Sequence, residues 1–374
     1  MSRVLKVPFT GADREFDDIG PEMMAAIENV FRSGVVMNGE SVQRLEQTLA
    51  DLSGRRHARL VNSGTDAVYF ALVAAGIGPG DEVLVGDISF VATLHAIVRT
   101  GATPVFVDVT DEGTIDLDLA EEAVGPRTRA LVMVQLYGRM AEPDPVEKFA
   151  RAHGLALVED AAQSLGAEVS GRRSGTLGLA GCHSFDAMKV IPAPGTGGVV
   201  LTDDPQVARS VEQLRRWGFE QGTAGPVVRL GHNSQMSSLT AAVLEVKLAQ
   251  EERWLKQRRA TASTYSAGLG DLGCGLPEHG SLRENIFHKY VLRTPKRDEL
   301  AAALKAAGVE TLVHYPYALH ELPFLARHPH RVVGDGRAKK HAREVISLPI
   351  HPYLTDEEID HVVTSTRAAL AAAD

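Results

Sequence analysis

The sequence is poor in cysteine, has no excess of basic residues and contains no long apolar run. Its two cysteines, Cys182 and Cys274, form neither a metal-type pair nor a disulfide framework. A formal net charge of −9 argues against nucleic acid as a partner, because no basic excess exists to neutralise phosphates. No apolar run approaches the roughly 18 residues that span a bilayer, and residues 1–20 carry charges throughout. We therefore expect a cytoplasmic protein that binds neither nucleic acid nor membrane and holds no metal.

Strand and helix patterns alternate along the first two thirds of the chain. The predicted strands are residues 82–86, 104–108, 130–135, 155–159, 181–185 and 198–202. The predicted helices around them are residues 20–33, 40–53, the segment after Thr65, 90–99, 117–124, 144–152 and 204–218. This alternation predicts an α/β protein with a mostly parallel sheet that helices cover on both faces. In such sheets the ligand usually lies at the carboxyl ends of the strands.

The pattern changes beyond about residue 265. A long helix is predicted for residues 237–264, and long helices often join two regions of a protein. Strands are predicted at residues 288–293, 311–315 and 345–348, with helices at 297–307 and 356–373. We therefore predict a large domain over residues 1–265, with an N-terminal arm of about residues 1–20, and a smaller α+β domain over residues 266–374.

Lys189 lies between a predicted strand and a loop rich in glycine and proline. Most lysines are solvated surface charges, and one lysine alone predicts no activity. The expected carboxyl edge of a parallel sheet is a different setting, because a desolvated lysine has a lowered pKa and becomes nucleophilic. Such an amine suits an imine with an aldehyde cofactor.

Two polar residues follow the predicted strand 155–159. Asp160 could be the N-cap of a helix, since aspartate is favoured there. It could also be the carboxylate that keeps the nitrogen of a pyridine ring protonated, so that the ring accepts electrons. Gln163, three residues on, would then lie on the same helical face and reach the phenolic oxygen of that ring.

A phosphate turn is predicted where Ser63, Gly64 and Thr65 lead into a helix. Glycine lets the backbone approach a phosphate, and a helix N-terminus offers free N–H groups. The same three residues are also an ordinary capping sequence. Ser184, before the lysine loop, could add a hydroxyl group, and Phe90 could stack on a cofactor ring, although a single aromatic residue is more often part of a core.

These motifs, in this order, resemble the DegT/StrS-type sugar aminotransferases, a type I branch of the aspartate-aminotransferase fold superfamily. The resemblance covers nearly the whole chain and rests on residues 77–83, 104–108, 159–164, 184–189, 197–198, 231–234, 313–316 and 347–352. It implies a three-layer α/β/α fold of the pyridoxal phosphate (PLP) transferases, with a smaller C-terminal domain.

The resemblance also implies roles. Lys189 would form the Schiff base with PLP and move the proton, and Asp160 would hold the pyridinium nitrogen. The other cofactor contacts would be Ser63, Gly64, Thr65, Phe90, Gln163 and Ser184. Asn233 resembles the residue that reaches the phosphate bound to the neighbouring subunit, which implies a homodimer with shared active sites. The sugar site would include His314, Tyr315 and Gln235, and His320 is a weaker candidate.

Three positions depart from the family pattern. Gln235 stands where the pattern has arginine, which leaves the recognition of an acidic substrate group open. The loop 191–196 has two prolines and lacks an acidic residue that often precedes the glycine pair. Asp186 occupies a position where aromatic residues or histidine are frequent. These departures indicate a specialised substrate site beside an intact cofactor site.

By resemblance, we expect a transamination that passes through the pyridoxamine phosphate form of the cofactor. Glutamate or glutamine would donate the amino group, and a keto-sugar, nucleotide-linked, would accept it. A keto-cyclitol acceptor is an alternative, as is another PLP reaction such as a decarboxylation or a carbon–carbon bond formation. A sugar dehydratase would have histidine in place of Lys189. A regulatory protein would not need the lysine, aspartate and phosphate turn together.

Overall fold

A computed structural model of the chain describes residues 5–220, 225–280, 284–334 and 336–373. Its strands are β1 His57–Val61, β2 Glu82–Gly86, β3 Thr103–Val107, β4 Thr128–Val134, β5 Ala156–Asp160, β6 Glu168–Val169, β7 Arg172–Arg173, β8 Ala180–Ser184, β9 Gly198–Thr202, β10 Tyr290–Arg293, β11 Arg331–Val333 and β12 Val345–Leu348. Eight of them form one sheet in the order β1-β9-β8-β5-β4-β2-β3-β11.

The central sheet is mostly parallel, as predicted. The pairs β8–β5, β5–β4, β4–β2, β2–β3 and β3–β11 are parallel, whereas β9 runs antiparallel to both β1 and β8. Because β1 and β8 are both antiparallel to β9, they run in the same direction, which is also the direction of β5. The carboxyl ends of these three strands therefore meet at one edge.

Helices cover both faces of the sheet. They are α1 Ala12–Ser33, α2 Glu40–Ser53, α3 Gly64–Ala74, α4 Val91–Arg99, α5 Leu117–Ala123, α6 Pro143–Ala152, α7 Pro205–Arg215, α8 Ser238–Leu248, α9 Glu251–Leu269, α10 Arg297–Ala306, α11 Arg337–Glu344 and α12 Asp356–Ala373. Leu84 of β2 faces a core with α1, α2, α5, α6 and α8. Its neighbours Val83 and Val85 face a second core with α3, α4, α7 and α11. This alternation across a strand that is buried throughout produces the three-layer α/β/α arrangement.

A third core lies in the C-terminal part of the chain. Strands β10 and β12 pair antiparallel and pack with α9, α10 and α12. Val7 joins this core and bridges Val309, whereas β11 extends the large sheet beside β3. The division at residue 265 stays a prediction, because α9 and β11 both connect the two predicted parts.

The structure corrects several predicted boundaries. The helix predicted for residues 237–264 is two helices, because the N–H of Gln250 bonds to the carbonyl of Lys247 in a tighter turn. Residues 311–315 form no strand and contribute one bridge, Leu312 to Ser347. Helix α1 begins at Ala12 rather than near residue 20. The short strands β1, β6, β7 and β11 and the helix α11 were not predicted.

Two features are absent from the residues that the structure describes. No helix in these parts of the chain is long and apolar enough to cross a membrane. No group of three or more His, Cys, Asp or Glu side chains within them is arranged to hold a metal ion.

Candidate active site

A cavity of about 300 Å³ lies at the edge of the sheet where β1, β5 and β8 end. The turn after each of these strands supplies residues to its wall, and Gly197, just before β9, adds to it. Three segments that are distant in sequence, near residues 63–65, 160–163 and 184–197, therefore meet in one place. The lining residues named below include most of the predicted site: Ser63, Gly64, Thr65, Phe90, Asp160, Gln163, Ser184, Lys189, His314 and Tyr315.

Lys189 extends from the loop after β8. The loop is held by its own backbone, since the N–H of Lys189 donates to the carbonyl of Asp186 at 2.9 Å and the N–H of Asp186 donates to Ser184 Oγ at 3.2 Å. The Lys189 side chain lines the cavity and is partly buried. Burial lowers the pKa of the Lys189 amine, against the opposing effect of Asp160 and Asp186. A larger neutral fraction makes this amine a better nucleophile and base.

Asp160 is the last residue of β5 and is 6% exposed. Its Oδ2 accepts a hydrogen bond from Thr93 Oγ1 at 2.7 Å, and its Oδ1 accepts one from the N–H of Ala162 at 3.2 Å. Burial raises the pKa of the Asp160 carboxyl, and the two hydrogen bonds and the charge of Lys189 act against that rise. No helix begins here, so the N-cap alternative is wrong. The carboxylate faces the cavity instead.

Gln163 reaches the cavity from a turn, not from the helical face that we expected. Its Oε1 accepts the N–H of Tyr137 at 2.9 Å, which fixes the amide. Its Nε2 then donates to the hydroxyl of Tyr315 at 3.1 Å. These two bonds place an amide donor and a phenol side by side at the cavity wall.

Ser63, Gly64 and Ser184 form a narrow cradle at the N-terminus of α3. Ser63 caps the helix by accepting the N–H of Asp66 at 3.1 Å. A Cβ on Gly64 would lie 2.6 Å from Ser184 Cβ, so only glycine allows this approach. The cradle offers the free N–H groups of the first helical turn and two hydroxyl groups, the donor set that suits a phosphate. Together with Lys189 and Asp160, it fits a phosphorylated ring cofactor with an aldehyde group.

The opposite wall is aromatic. The Phe90 ring is 49% exposed and lies 5.8 Å from the Tyr315 ring between centroids. His314 Nδ1 lies 2.8 Å from Ser347 Oγ, which leaves Nε2 as the nitrogen available to a ligand. Burial, together with Lys289 and Lys189, lowers the pKa of His314 to about 3, so the ring is neutral near pH 7.

Three predicted residues do not line the cavity. Asn233 is exposed and bridges Arg216. Gln235 accepts a hydrogen bond from Asn38 at 2.8 Å through Oε1. His320 bonds to Asp87 through Nδ1 and its backbone N–H. Within one chain, the structure therefore brings together the predicted cofactor residues other than Asn233.

Sequence reasoning missed several lining residues, among them Thr93, His288 and Lys289. Thr93 stands one helical turn after Phe90, a spacing that could have indicated it. His288 and Lys289 precede β10, which belongs to the other end of the chain. Neither carried a signal, because nothing in the sequence shows that this segment folds over the lysine loop.

Comparisons with known proteins point to one family. The DegT/DnrJ/EryC1/StrS aminotransferase family matches residues 17–367. A dTDP-3-amino-3,4,6-trideoxy-alpha-D-glucose transaminase from Streptomyces venezuelae is 39% identical over 97% of this chain and 96% of its own. A protein of Geobacillus stearothermophilus named pleiotropic regulatory protein is also 39% identical, over 96% of this chain and 97% of its own.

A crystal structure of S. venezuelae DesV in complex with a ketimine intermediate superposes with a TM-score of 0.93. It is 38% identical to this chain and covers 98% of both chains. The fold class expected from the sequence is thus confirmed. The cavity, the order of the motifs and these matches lead to one conclusion: the chain belongs to the DegT/DnrJ/EryC1/StrS aminotransferase family.

Proposed function

We propose that this chain is a PLP-dependent aminotransferase that moves an amino group from glutamate or glutamine to the keto group of a nucleotide-linked sugar. The observation that carries the proposal is the meeting of Lys189, Asp160 and the Gly64–Ser184 cradle in one cavity. The S. venezuelae relative, named for a dTDP-linked amino sugar, supports the substrate class. The predicted cytoplasmic location belongs to the same proposal.

PLP would lie with its phosphate in the cradle, its ring nitrogen toward Asp160 and its aldehyde carbon toward Lys189. When bound, the cofactor supplies an electron-accepting ring that stabilises negative charge on the substrate carbon. Asp160 would keep the ring nitrogen protonated, and a positive charge there would lower the pKa of the carboxyl that burial raises. Gln163 lines the same cavity, and its Nε2 would donate to the ring oxygen, because its Oε1 is already held by the N–H of Tyr137.

Lys189 would then have two tasks. Its amine would hold the cofactor until the amino donor takes its place, and the released Nζ would then be a base within the cavity. Nζ would take a proton from the α-carbon of the donor and deliver it to the former aldehyde carbon of the cofactor. The same atom would move a proton in the reverse sense when the keto-sugar receives the amino group.

The site would be completed by a second copy of the chain. Asn233 is exposed in the single chain and does not line the cavity. Exposed apolar side chains lie in the same region: Val35, Val36, Met37, Val227, Val228 and Leu230. The Asn38–Gln235 hydrogen bond connects the first three to the Asn233 segment. A homodimer that covers these side chains and brings Asn233 to the neighbouring cavity accounts for both observations.

The test is spectroscopic. Purified protein loaded with PLP should absorb near the visible edge and bleach when glutamate or glutamine is added. Addition of a nucleotide-linked keto-sugar should restore the band and yield an amino sugar detectable by mass spectrometry. Lys189→Ala should lack the original band and turnover, and full turnover by this variant would refute the proposal. A regulatory role like that in the name of the Geobacillus relative would leave the band unchanged with every amino acid.

A further inference from the structure

Lys289 is a buried amine at the wall of the cavity, and the residues that the structure describes provide no hydrogen-bond or ion-pair partner for its side chain. The residue is 7% exposed and lines the same cavity as Lys189. Among the described residues, no hydrogen bond or ion pair reaches its ammonium group. Its nearest identified contact is the ring of Phe9, whose centroid lies 5.1 Å from Nζ. A buried ammonium normally has a partner, because its desolvation is costly.

The surroundings of Lys289 are predominantly basic. Burial, with the charges of Arg258 and Lys189, lowers the pKa of Lys289 to about 7, against a smaller opposing effect of Asp186. His288 and His314 also have lowered pKa values, first through burial and then through the charges of Lys289 and Lys189. These groups therefore disfavour one another's charge. An arriving anion would relieve this repulsion, since an opposite charge favours the ammonium form.

A second cavity beside Lys289 is not the expected site of the anion. Lys289 also borders a space of about 240 Å³ that contains Arg139 and Arg293. Those arginines have acidic partners, since Arg139 lies 2.8 Å from Glu278 and Arg293 lies 3.6 Å from Asp111. The positive charge is balanced on that side, whereas on the Lys189 side the described part of the chain offers Lys289 no carboxylate at ion-pair distance.

We propose that Lys289 binds a carboxylate group of the amino donor, and this inference rests on the proposed function. Among the described residues that line the cavity, Lys189 and Lys289 are the lysines and no arginine is present. Because Lys189 acts on the reacting carbon, Lys289 is the cation left for a carboxylate. Gln235 is neutral, and its Oε1 is engaged by Asn38.

The cofactor phosphate is the other possible source of an anion. The cradle of Ser63, Gly64 and Ser184 already offers backbone N–H groups and hydroxyl groups for it. Lys289, by contrast, lies beside Phe9 and the lysine loop. If Lys289 binds the donor carboxylate, its replacement should weaken the binding of dicarboxylates. If it binds the cofactor phosphate, its replacement should weaken the binding of PLP.

The first measurement needs no turnover. Glutarate, an unreactive dicarboxylate, is titrated into PLP-loaded wild type, Lys289→Met and Lys289→Arg by calorimetry. Loss of a charge-assisted hydrogen bond should raise the glutarate Kd of Lys289→Met about tenfold to hundredfold. Lys289→Arg keeps the charge and should lose less. Lys256→Met removes an exposed lysine on α9 and should bind glutarate like the wild type.

The second measurement is the donor half-reaction, followed as bleaching of the cofactor band. In Lys289→Met the half-saturating glutamate concentration should rise about as much as the glutarate Kd, with a smaller change in the maximal rate. Unchanged glutarate and glutamate affinities in Lys289→Met would overturn the inference. Weaker PLP binding by the apoprotein with unchanged glutarate binding would assign Lys289 to the phosphate and also overturn it. If none of the amino acids bleaches the cofactor band of the wild-type protein, the proposed function fails. The glutarate titration still decides the role of Lys289 in that case.

Discussion

Thr93 Oγ1 donates a hydrogen bond to Asp160 Oδ2 at 2.7 Å across 67 residues of sequence. Ser89 Oγ lies 2.8 Å from the same threonine hydroxyl, so a short chain of hydroxyl groups ends at the carboxylate. This bond favours the ionised form of Asp160, which burial disfavours. Thr93 thus acts through Asp160 as a positioning residue.

Replacement of this threonine tests that role. Thr93→Val keeps the shape but removes the donor, so the pKa of Asp160 should rise further and PLP should bind about tenfold more weakly. The cofactor absorbance should also titrate at a different pH. Thr93→Ser restores a hydroxyl and should recover most of the affinity. Equal PLP affinity and pH profile in Thr93→Val and wild type would contradict the role.

Gly64→Ala should damage the phosphate cradle. The added methyl group would meet Ser184 Cβ at 2.6 Å, and such overpacking typically costs about 1–3 kcal/mol. We expect the PLP Kd from fluorescence titration to rise about tenfold or more. Gly78→Ala is the matched control, because a Cβ there has no atom within 4 Å. A Gly64→Ala protein that binds PLP like this control would argue against a close cradle.

Asn233 is expected to act in the neighbouring subunit. Lys189→Ala and Asn233→Ala should each be inactive alone, and mixing them under dissociating conditions should restore about a quarter of wild-type activity. Random pairing makes about half of the dimers hybrids, and each hybrid has one intact site. No recovery in proven hybrids would place Asn233 in its own chain's site or outside any site. Full activity of Asn233→Ala would remove it from the mechanism.

Because His351 is buried, we expect the folded protein to lose stability in acid. The residue is 5% exposed, and its Nδ1 accepts the N–H of Tyr353 at 3.3 Å, which suits the neutral ring. Burial and the charge of Arg258 lower the pKa of His351 from 6.5 to about 4. Between these values the unfolded chain binds the extra proton, so stability is complete above about pH 6.5 and falls as the pH drops toward 4.

Urea unfolding of the apoprotein between pH 7 and 4 measures this effect. A shift of this size corresponds to up to about 3 kcal/mol. The curve for His351→Gln should be flatter than that of the wild type by an amount of this order. His328→Gln changes an exposed histidine and should leave the slope unchanged. Parallel curves for His351→Gln and wild type would show that His351 is not held neutral by the fold.

The alternation of apolar strands and helices was sufficient to predict the sheet and its two helical layers. Strands β2 and β9 are buried on both faces, and their sequences are therefore nearly continuous apolar runs. The predicted bounds of both strands match the structure. Strand β11 escaped prediction because it has three half-exposed residues and pairs with β3, more than 200 positions earlier. The break between α8 and α9 was missed because the apolar pattern continues through it.

The sequence by itself determined the family, the strands β5 and β8 that end at the cavity, and the lysine, aspartate and serine–glycine residues at its wall. Those signals are local: a lysine after a strand, a Ser-Gly-Thr turn before a helix, an aspartate at a strand end. Only the tertiary structure brought Thr93 to Asp160 and Lys289 to the wall beside Lys189. Both contacts depend on how distant segments fold over the sheet edge, and burial there, not residue type, sets the charge of the lysines and histidines.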